Sequence, residues 1–245
     1  MKTLIIIPSR LSAKRLPGKP LLKINGLSIV THVYRKAVEA NIGEVFVAAE
    51  DQEIIEDVKE NGGQAILTRN NHKTGTDRVY EALEKLGITD VELVMNLQGD
   101  EPLMNIEDIK KLHEQMIKNK SELGTLASNI LDKNLYNDLN TVKVVTKENL
   151  DNSKFTEAVN FMRKSEKINK NTYHHLGIYC YQVDTLKKFV YLEQSQNEIK
   201  NKLEQLRALD NNINIKVTLA KESPIGVDTE EDFVAIKKLM EYKTE

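Results

Sequence analysis

Short apolar runs alternate with amphipathic stretches along the first half of the chain. Four runs have the length and β-branched content of strands buried on both faces: residues 3–7, 44–49, 64–68 and 92–97. Three stretches between them carry apolar side chains at helical spacing: residues 29–40, 54–61 and 77–86. Strands that alternate with helices in this way predict right-handed βαβ units and a mostly parallel sheet.

The second half has a less regular pattern. It predicts three strands, over residues 142–145, 175–181 and 213–220, and two helices, over residues 197–209 and 228–242. Residues 132–170 are rich in Asn and Lys and predict an accessory lobe or a mobile loop, in which residues 164–171 are solvated surface. We therefore expect one α/β domain over residues 1–245 that contains a smaller lobe over about residues 132–195.

Two of the predicted helices begin near good capping residues. Thr76 or Asp77 is predicted to cap the helix over residues 77–86. Asp228 or Thr229 is predicted to cap the terminal helix, whose first turn is acidic.

Composition and charge narrow the class of protein. The 245 residues include 35 basic and 37 acidic ones, and this balance disfavours a general nucleic-acid binder. Cys180 is the sole cysteine, so no disulfide forms within the chain, and its apolar neighbours predict a buried core residue. The apolar start, residues 1–8, is far shorter than the roughly 20 residues that span a bilayer. We expect a cytoplasmic protein with no membrane partner.

A basic loop follows the first predicted strand. Residues 8–20 contain Arg10, Lys14, Arg15 and Lys19, whose charges repel one another unless an anion neutralises them. Gly18 allows a close backbone approach to such an anion. The loop lacks the Walker A pattern, so it predicts a different type of phosphate site. A solvated basic loop is the alternative that these charges leave open.

Acidic and amide side chains follow two other predicted elements. Gln98 and Asp100 come directly after the strand over residues 92–97, where ligands bind in open α/β sheets. Asp100 is suited to Mg²⁺, and Gln98 is suited to reading the edge of a base. Asp228, at the mouth of the last helix, is a candidate second metal ligand. The alternatives are a polar turn for Asp100 and an ordinary helix cap for Asp228.

Together these segments resemble the sugar-acid cytidylyltransferases, and most closely the 3-deoxy-manno-octulosonate (Kdo) cytidylyltransferases. The matching segments occur in the family's order over nearly the whole chain: residues 10–20, 73–78, 98–102, 142–145, 175–179, 203–207 and 226–229. The resemblance implies a Rossmann-like nucleotidyltransferase fold with a small lobe that mediates a homodimer. It also implies the reaction of CTP with Kdo to give CMP-Kdo and diphosphate, with Mg²⁺ as cofactor, for lipopolysaccharide biosynthesis in Gram-negative bacteria.

The resemblance also assigns roles to individual residues. Those that match triphosphate contacts and neighbours of the nucleotide are Arg10, Arg15, Lys19 and Arg78; those that match the cytidine pocket are Thr74, Gly75 and Gln98. Asp100 and Asp228 match the magnesium ligands and, with Lys19, the catalytic set. Those that match the sugar-acid site are Arg163, His175, Glu204 and Gln205. Lys14 matches no role and is expected at the surface, and His174 is expected to be dispensable.

The chain departs from the family's pattern near Arg163. The family's usual Phe-Ser-Arg before an Ile-Pro segment reads Phe161-Met162-Arg163 here, with no proline nearby. An 8-amino analogue of Kdo, or sialic acid, stays open as the substrate. Two other readings are a hexose-1-phosphate nucleotidylyltransferase, which has a Gly-rich first loop that this chain lacks, and a non-catalytic nucleotide-binding module.

Overall fold

The computed structural model describes residues 1–12, 15–164, 170–223 and 225–242, with Lys133 described by its backbone only. The strands are β1 Lys2–Ser9, β2 Lys23–Ile24, β3 Leu27–Ser28, β4 Glu44–Ala49, β5 Ala65–Leu67, β6 Val91–Asn96, β7 Leu123–Ser128, β8 Lys143–Thr146, β9 Phe155–Met162, β10 Thr172–Gln182 and β11 Ile215–Leu219. The α-helices are α1 Ile29–Glu39, α2 Gln52–Glu60, α3 Gly75–Leu86, α4 Ile106–Asn119, α5 Val183–Tyr191, α6 Gln196–Asn201, α7 Leu206–Asp210 and α8 Glu230–Tyr242. Short 3-10 helices cover Lys19–Leu21 and Lys133–Tyr136.

The chain divides into two compact units. The first unit comprises residues 2–91, 95–106 and 224–245, and the second comprises residues 1, 92–94 and 107–223. Each unit has its own arrangement of strands, and we describe them separately.

The first unit has the βαβ organisation that the sequence predicts. Its strands lie in the order β5-β4-β1-β6, and β1 pairs in parallel with β4, which pairs in parallel with β5. The apolar run of β1 from Leu4 to Ile7 is fully buried, because helices cover both faces of a sheet of this kind. The carboxyl ends of β1 and β6 therefore lie side by side, as the backbone bond from Leu97 N to Ile6 O shows.

The cap of α3 differs from the prediction. Thr74 is the N-cap, with its hydroxyl accepting from Asp77 N at 3.2 Å, and the Asp77 carboxylate accepts from Thr74 N at 3.1 Å. Thr76 and Asp77 lie inside the first turn, so the prediction that one of them caps was wrong. The reciprocal hydrogen bonds of Thr74 and Asp77 form a capping box that satisfies two backbone N–H groups. Helix α3 therefore begins two residues earlier than the apolar spacing indicates.

The second unit is mainly antiparallel. Strand β10 pairs antiparallel with β7 and β8, β9 pairs antiparallel with β8 and β11, and only β11 and β7 run parallel. These five strands thus pair in a closed circuit, β10-β7-β11-β9-β8 and back to β10. The predicted parallel arrangement therefore applies to the first unit. The sequence analysis did not predict α4, α5, β7 or β9.

The predicted helix over residues 197–209 is interrupted. Helix α6 ends at Asn201, Lys202 adopts a left-handed conformation with φ 53°, and α7 begins at Leu206. A buried ion pair explains the break, because Glu198 accepts from Arg207 Nε at 2.8 Å and from its NH2 at 2.6 Å. This pair folds the second helix back on the first and places Glu204 and Gln205 in the turn between them.

Other expectations concern the core and the surface. Cys180 is fully buried, as predicted, and burial raises the pKa of its thiol well above the usual range. Within the described ranges, no helix combines the length and the apolar character needed to cross a bilayer. Of the segment 164–171, which we expect at the surface, residues 165–169 lie outside the described residues.

Replacing Gly43 by Ala should destabilise the first unit. A Cβ built at Gly43 would lie 2.1 Å from the carbonyl oxygen of Thr3, a backbone atom that cannot turn aside. We expect Gly43→Ala to cost about 2–3 kcal/mol and to lower Tm by roughly 4–12 °C in thermal unfolding. Glu44→Ala, at the exposed start of β4, is the matched control and should change Tm little. An unchanged Tm for Gly43→Ala would contradict this packing.

Candidate active site

A cavity of about 720 Å³ opens in the first unit at the carboxyl ends of β1 and β6. Its lining joins the first loop, the segment before α3, the segment after β6 and the entry to α8: Pro8, Ser9, Arg10, Ser12, Arg15, Leu16, Lys19, Pro20, His72, Lys73, Thr74, Gly75, Arg78, Gln98, Gly99, Asp100 and Asp228. All the residues predicted to bind the nucleotide or the metal are among them. The cavity thus gathers segments that are far apart in sequence.

Lys19 links the two predicted carboxylates. Its Nζ lies 2.6 Å from Asp100 Oδ2 and 3.3 Å from Asp228 Oδ1. Arg15 adds a second cation, with its NH2 3.0 Å from Asp228 Oδ2. Gly18, at φ 71°, supplies the left-handed turn that begins the Lys19–Leu21 helix and directs Lys19 toward both carboxylates.

Asp228 faces the cavity because another residue caps α8. The Thr229 hydroxyl accepts from Asp232 N at 3.2 Å, and the Asp232 carboxylate accepts from Thr229 N at 2.9 Å. The sequence left the choice of cap open between Asp228 and Thr229, and Thr229 is the residue that caps α8. The Asp228 carboxylate is directed to Lys19 and Arg15 instead. Apolar contacts hold this arrangement, because Leu16 and Val227, the neighbours of Arg15 and Asp228, are buried in one cluster with Ile236 of α8.

Glu101 is a half-buried residue whose carboxyl Oε2 is buried beside this charged group. Burial raises the pKa of its carboxyl to about 8, the charges of Asp100 and Asp228 act in the same direction, and Lys19 opposes them. Among the described residues its Oε2 has no hydrogen-bond partner. The sequence analysis did not assign Glu101 a role, since its burial depends on the return of the chain at Gly226, which lies against its Cγ.

The wall made by Gly99 and Gly75 is formed largely by backbone. A Cβ at Gly99 would lie 3.1 Å from Pro8 O, tighter than most Cβ contacts, so glycine at this position favours the close approach of the two backbones. Thr74 is held by its capping box, and Gln98 stands beside Gly99 in the lining. Ser9 contributes a hydroxyl that is buried and has no hydrogen-bond partner within the described part of the chain. Thr74, Gln98 and Ser9 therefore bring neutral hydrogen-bonding groups to this side of the cavity, next to the cationic Lys73.

Arg78 lines the cavity, but its guanidinium is already bound. It is 3% exposed, forms a short ion pair with Glu50, and donates to Thr68 Oγ1 at 2.6 Å and to Arg69 O at 3.3 Å. Arg10, by contrast, is exposed, as is the side chain of Arg15. Lys14 of the same loop lies outside the described residues. The exposed arginines are the ones placed to receive a further anion.

His72 and Glu81 form a second charged group that the sequence analysis missed. Glu81 is buried and accepts hydrogen bonds from His72 Nε2, from Lys85 Nζ at 2.8 Å and from Arg69 N at 3.2 Å. Burial raises the pKa of Glu81, but its bonds to Lys85, His72 and Arg69 outweigh burial and lower the pKa to about 2. The carboxylate thus fixes the segment that leads to Thr74. The helical spacing of Glu81 and Lys85 was the one signal in the sequence.

The four residues predicted to bind the sugar acid lie in the second unit, and none is among the described lining of the cavity. His175 is 7% exposed, and its Nε2 lies 3.0 Å from Thr125 Oγ1. Burial lowers its pKa to about 3, with a smaller electrostatic contribution from the neighbouring His174. It is therefore a neutral imidazole. His174 points elsewhere, with its Nδ1 2.7 Å from Ser223 Oγ.

Arg163 is held by backbone carbonyls. Its Nε donates to Asn201 O at 3.3 Å, NH1 to Leu139 O at 3.0 Å and NH2 to Lys202 O at 3.1 Å. The fully buried Lys143 donates in turn to the carbonyl of Arg163. Arg163 thus joins β9 to the turn after α6. Glu204 and Gln205 follow in that turn, where Gln205 is buried.

Comparisons with known proteins show the family to which the chain belongs. Residues 4–216 match the family model described as Cytidylyltransferase. The 3-deoxy-manno-octulosonate cytidylyltransferase of Thermodesulfovibrio yellowstonii is 40% identical over 251 residues, which cover 98% of each chain. The enzyme of the same name from Afipia carboxidovorans is 39% identical over 97% of this chain and 96% of its own. The chain belongs to the 3-deoxy-manno-octulosonate cytidylyltransferase family.

A solved structure gives the same family. The structure of CMP:2-keto-3-deoxy-manno-octonic acid synthetase complexed with CTP is 35% identical, superposes with a TM-score of 0.89, and covers 99% of this chain and 100% of its own. The predicted α/β nucleotidyltransferase fold is therefore confirmed. As a family member, the chain is a nucleotidyltransferase.

The depressed pKa of Glu81 predicts a pH dependence of stability. The folded value of about 2 lies below the ordinary 4.5, so the ionised group stabilises the fold above about pH 4.5, and this contribution is lost as the pH falls toward 2. Glu81→Gln should cost on the order of 3 kcal/mol at pH 7 and progressively less below pH 4.5.

Thermal unfolding from pH 7 to pH 3 measures this difference. Glu84→Gln, an exposed residue of the same helix, is the control and should follow the wild type at every pH. A gap between Glu81→Gln and wild type that stays constant as the pH falls would contradict the assignment.

Proposed function

We propose that this chain transfers CMP from CTP to 3-deoxy-D-manno-octulosonate, giving CMP-Kdo and diphosphate for lipopolysaccharide biosynthesis. The observation that carries the proposal is the cation-and-carboxylate group of Lys19, Arg15, Asp100 and Asp228 on one wall of the cavity. A site that binds a triphosphate needs cations to offset its negative charge. Transfer of a nucleotidyl group at the α-phosphorus also needs cations near the leaving oxygen, where negative charge develops as the bond breaks. Membership of the family supplies the identity of both substrates.

In the proposed step, the anomeric hydroxyl oxygen of the sugar acid bonds to the α-phosphorus, the bond from that phosphorus to the leaving diphosphate breaks, and the hydroxyl proton passes to water. Lys19 and Arg15 stabilise the negative charge that grows on the diphosphate. Arg10 is placed on the exposed rim of the same loop to receive a further phosphate oxygen. The protein forms no covalent intermediate, so its contribution is positioning and charge stabilisation.

The residues fit the magnesium ion that the family implies. Asp100 and Asp228 converge closely enough that each places an oxygen within 3.3 Å of the same nitrogen, Lys19 Nζ. Two such carboxylates, with phosphate oxygens and water, are the hard ligands that Mg²⁺ prefers. Glu101, with its unpartnered buried oxygen within the described residues, lies next to them. When bound, the ion would lower the pKa of the attacking hydroxyl and offset charge on the phosphate.

The remaining residues divide between base and sugar. Thr74, Gly75 and Gln98 are proposed to hold the cytosine, because the Thr74 and Gln98 side chains carry neutral donors and acceptors. Arg78 acts through Glu50 and Thr68 rather than by carrying a free charge to the nucleotide. His175, Arg163, Glu204 and Gln205 are proposed for the sugar acid. Arg163 would bind it only by exchanging a backbone carbonyl for the substrate's carboxylate.

Assembly and location complete the proposal. The family implies a homodimer formed through the smaller lobe, about residues 132–195, and a cytoplasmic enzyme, since CTP is a cytoplasmic substrate.

The function is tested with purified protein, Mg²⁺ and separate nucleotides. We expect diphosphate release with CTP and Kdo, and much less with UTP or dTTP, with CMP-Kdo identified by mass. A panel of Kdo, 8-amino-Kdo and sialic acid then separates the sugar-acid alternatives. Turnover that requires a sugar 1-phosphate instead of a sugar acid would overturn the proposal, and absence of turnover with every pair would favour a non-catalytic module.

Removing one member of the charged group should lower kcat strongly and have a smaller effect on the stability of the fold. We expect Lys19→Met and Asp100→Asn each to lower kcat by on the order of 10²–10³, because each loses charge stabilisation of the transition state. Lys36→Met, which removes a surface lysine of α1 paired with Glu39, is the control and should keep normal turnover. Near-normal kcat of Asp100→Asn with saturating CTP and Mg²⁺ would refute its metal role.

A further inference from the structure

The residue at the start of α2 does not cap its helix. Asp51 occupies the N-cap with φ −101° and ψ 127°, and aspartate is among the best capping residues, yet its side chain makes no capping bond. Its Oδ2 instead accepts from the backbone N–H of Leu11 at 2.7 Å, across 40 residues of sequence. A side chain able to stabilise its own helix is thus used to hold the first loop.

Leu11 passes this constraint to Lys19. The carbonyl of Leu11 accepts from Gly18 N at 3.2 Å, so both backbone groups of Leu11 are bonded, one to Asp51 and one to the turn that precedes Lys19. Lys19 follows Gly18 directly and reaches Asp100 and Asp228. Two hydrogen bonds, from Leu11 N to Asp51 and from Gly18 N to Leu11, and then the peptide bond to Lys19 therefore connect Asp51 with the charged group of the cavity.

Glu50, the residue before Asp51, holds the opposite wall. Its carboxylate forms the ion pair with Arg78, which also donates to Thr68 and to the carbonyl of Arg69. The other carboxylate oxygen accepts from Ser12 Oγ at 3.4 Å. The Glu50–Asp51 turn is therefore bonded both to the first loop and to the segment that leads to Thr74.

We propose that Asp51 is a positioning residue for nucleotide binding, which sets the first loop, and with it Lys19, relative to Asp100 and Asp228. Asp51 is absent from the lining of the cavity and acts through the Leu11 N–H. Positioning matters here because small displacements of charged groups from a phosphate weaken binding steeply. The proposal rests on the proposed function for its nucleotide, while the hydrogen-bond relay itself is independent of the substrate.

Two substitutions separate the relay from the stability of α2. Asp51→Ser retains a good capping side chain, but its shorter hydroxyl cannot reach Leu11 N; Asp51→Asn retains both the length and an acceptor oxygen. We expect Asp51→Ser to raise the KM for CTP about tenfold and leave the sugar-acid KM unchanged, with Tm close to wild type. Asp51→Asn should restore the CTP KM to within about threefold of wild type. Gln52→Ala, at the exposed next position, is the matched control.

Amide hydrogen exchange tests the relay without any nucleotide. Peptides covering residues 9–18 should exchange about tenfold faster in Asp51→Ser than in wild type or Asp51→Asn. Unchanged exchange and unchanged CTP KM in Asp51→Ser would overturn the proposal, as would an Asn variant as impaired as the Ser variant. Faster exchange in a protein that turns over no CTP would uphold the relay and count against the proposed function instead.

Discussion

The contact of Lys19 with Asp100 and Asp228 is the interaction on which the site depends. Lys19 lies 81 positions before Asp100 and 209 positions before Asp228 in the chain. The two negative carboxylates lie close together only because the Lys19 cation lies between them. Each partner needs its own support. Gly18 turns the backbone toward the carboxylates, Gly99 allows β6 to approach Pro8, and Thr229 caps α8 so that Asp228 is available.

The cavity uses its charges in two ways. The charges of Arg78 and Glu50 are paired inside the protein, and His72 is hydrogen-bonded to the buried Glu81, so both contacts fix the walls. Arg10 and Arg15 are exposed and keep donors directed toward solvent. A bound triphosphate would therefore contact walls that are fixed by internal pairs and arginine side chains that are exposed to solvent. This division explains why a family match to an arginine does not by itself identify a ligand contact.

The sequence predicted the first unit well, because its strands are apolar throughout and its helices are amphipathic. It also predicted one site for Lys19 and Asp100, since residues that follow strands of a parallel sheet meet at one edge, and the family resemblance joined Asp228 to them. It could not predict features set by distant contacts. The break after Asn201 depends on the buried bond between Glu198 and Arg207, and the use of Asp51 depends on where Leu11 lies. Thr74 was missed as a cap because its box partner, Asp77, is itself a good capping residue.

The closed strand circuit of the second unit has a consequence for self-association. Within the described residues, β7, β8 and β11 each have a bonded strand on both sides, whereas β9 bonds to β11 through residues 155–157 and to β8 through residues 158–162. A strand that is bonded on both sides has no open edge to which a second copy could add a strand. A dimer formed over β7, β8 and β11 would therefore depend on side-chain contacts, which surface substitutions can alter without changing the backbone pairing.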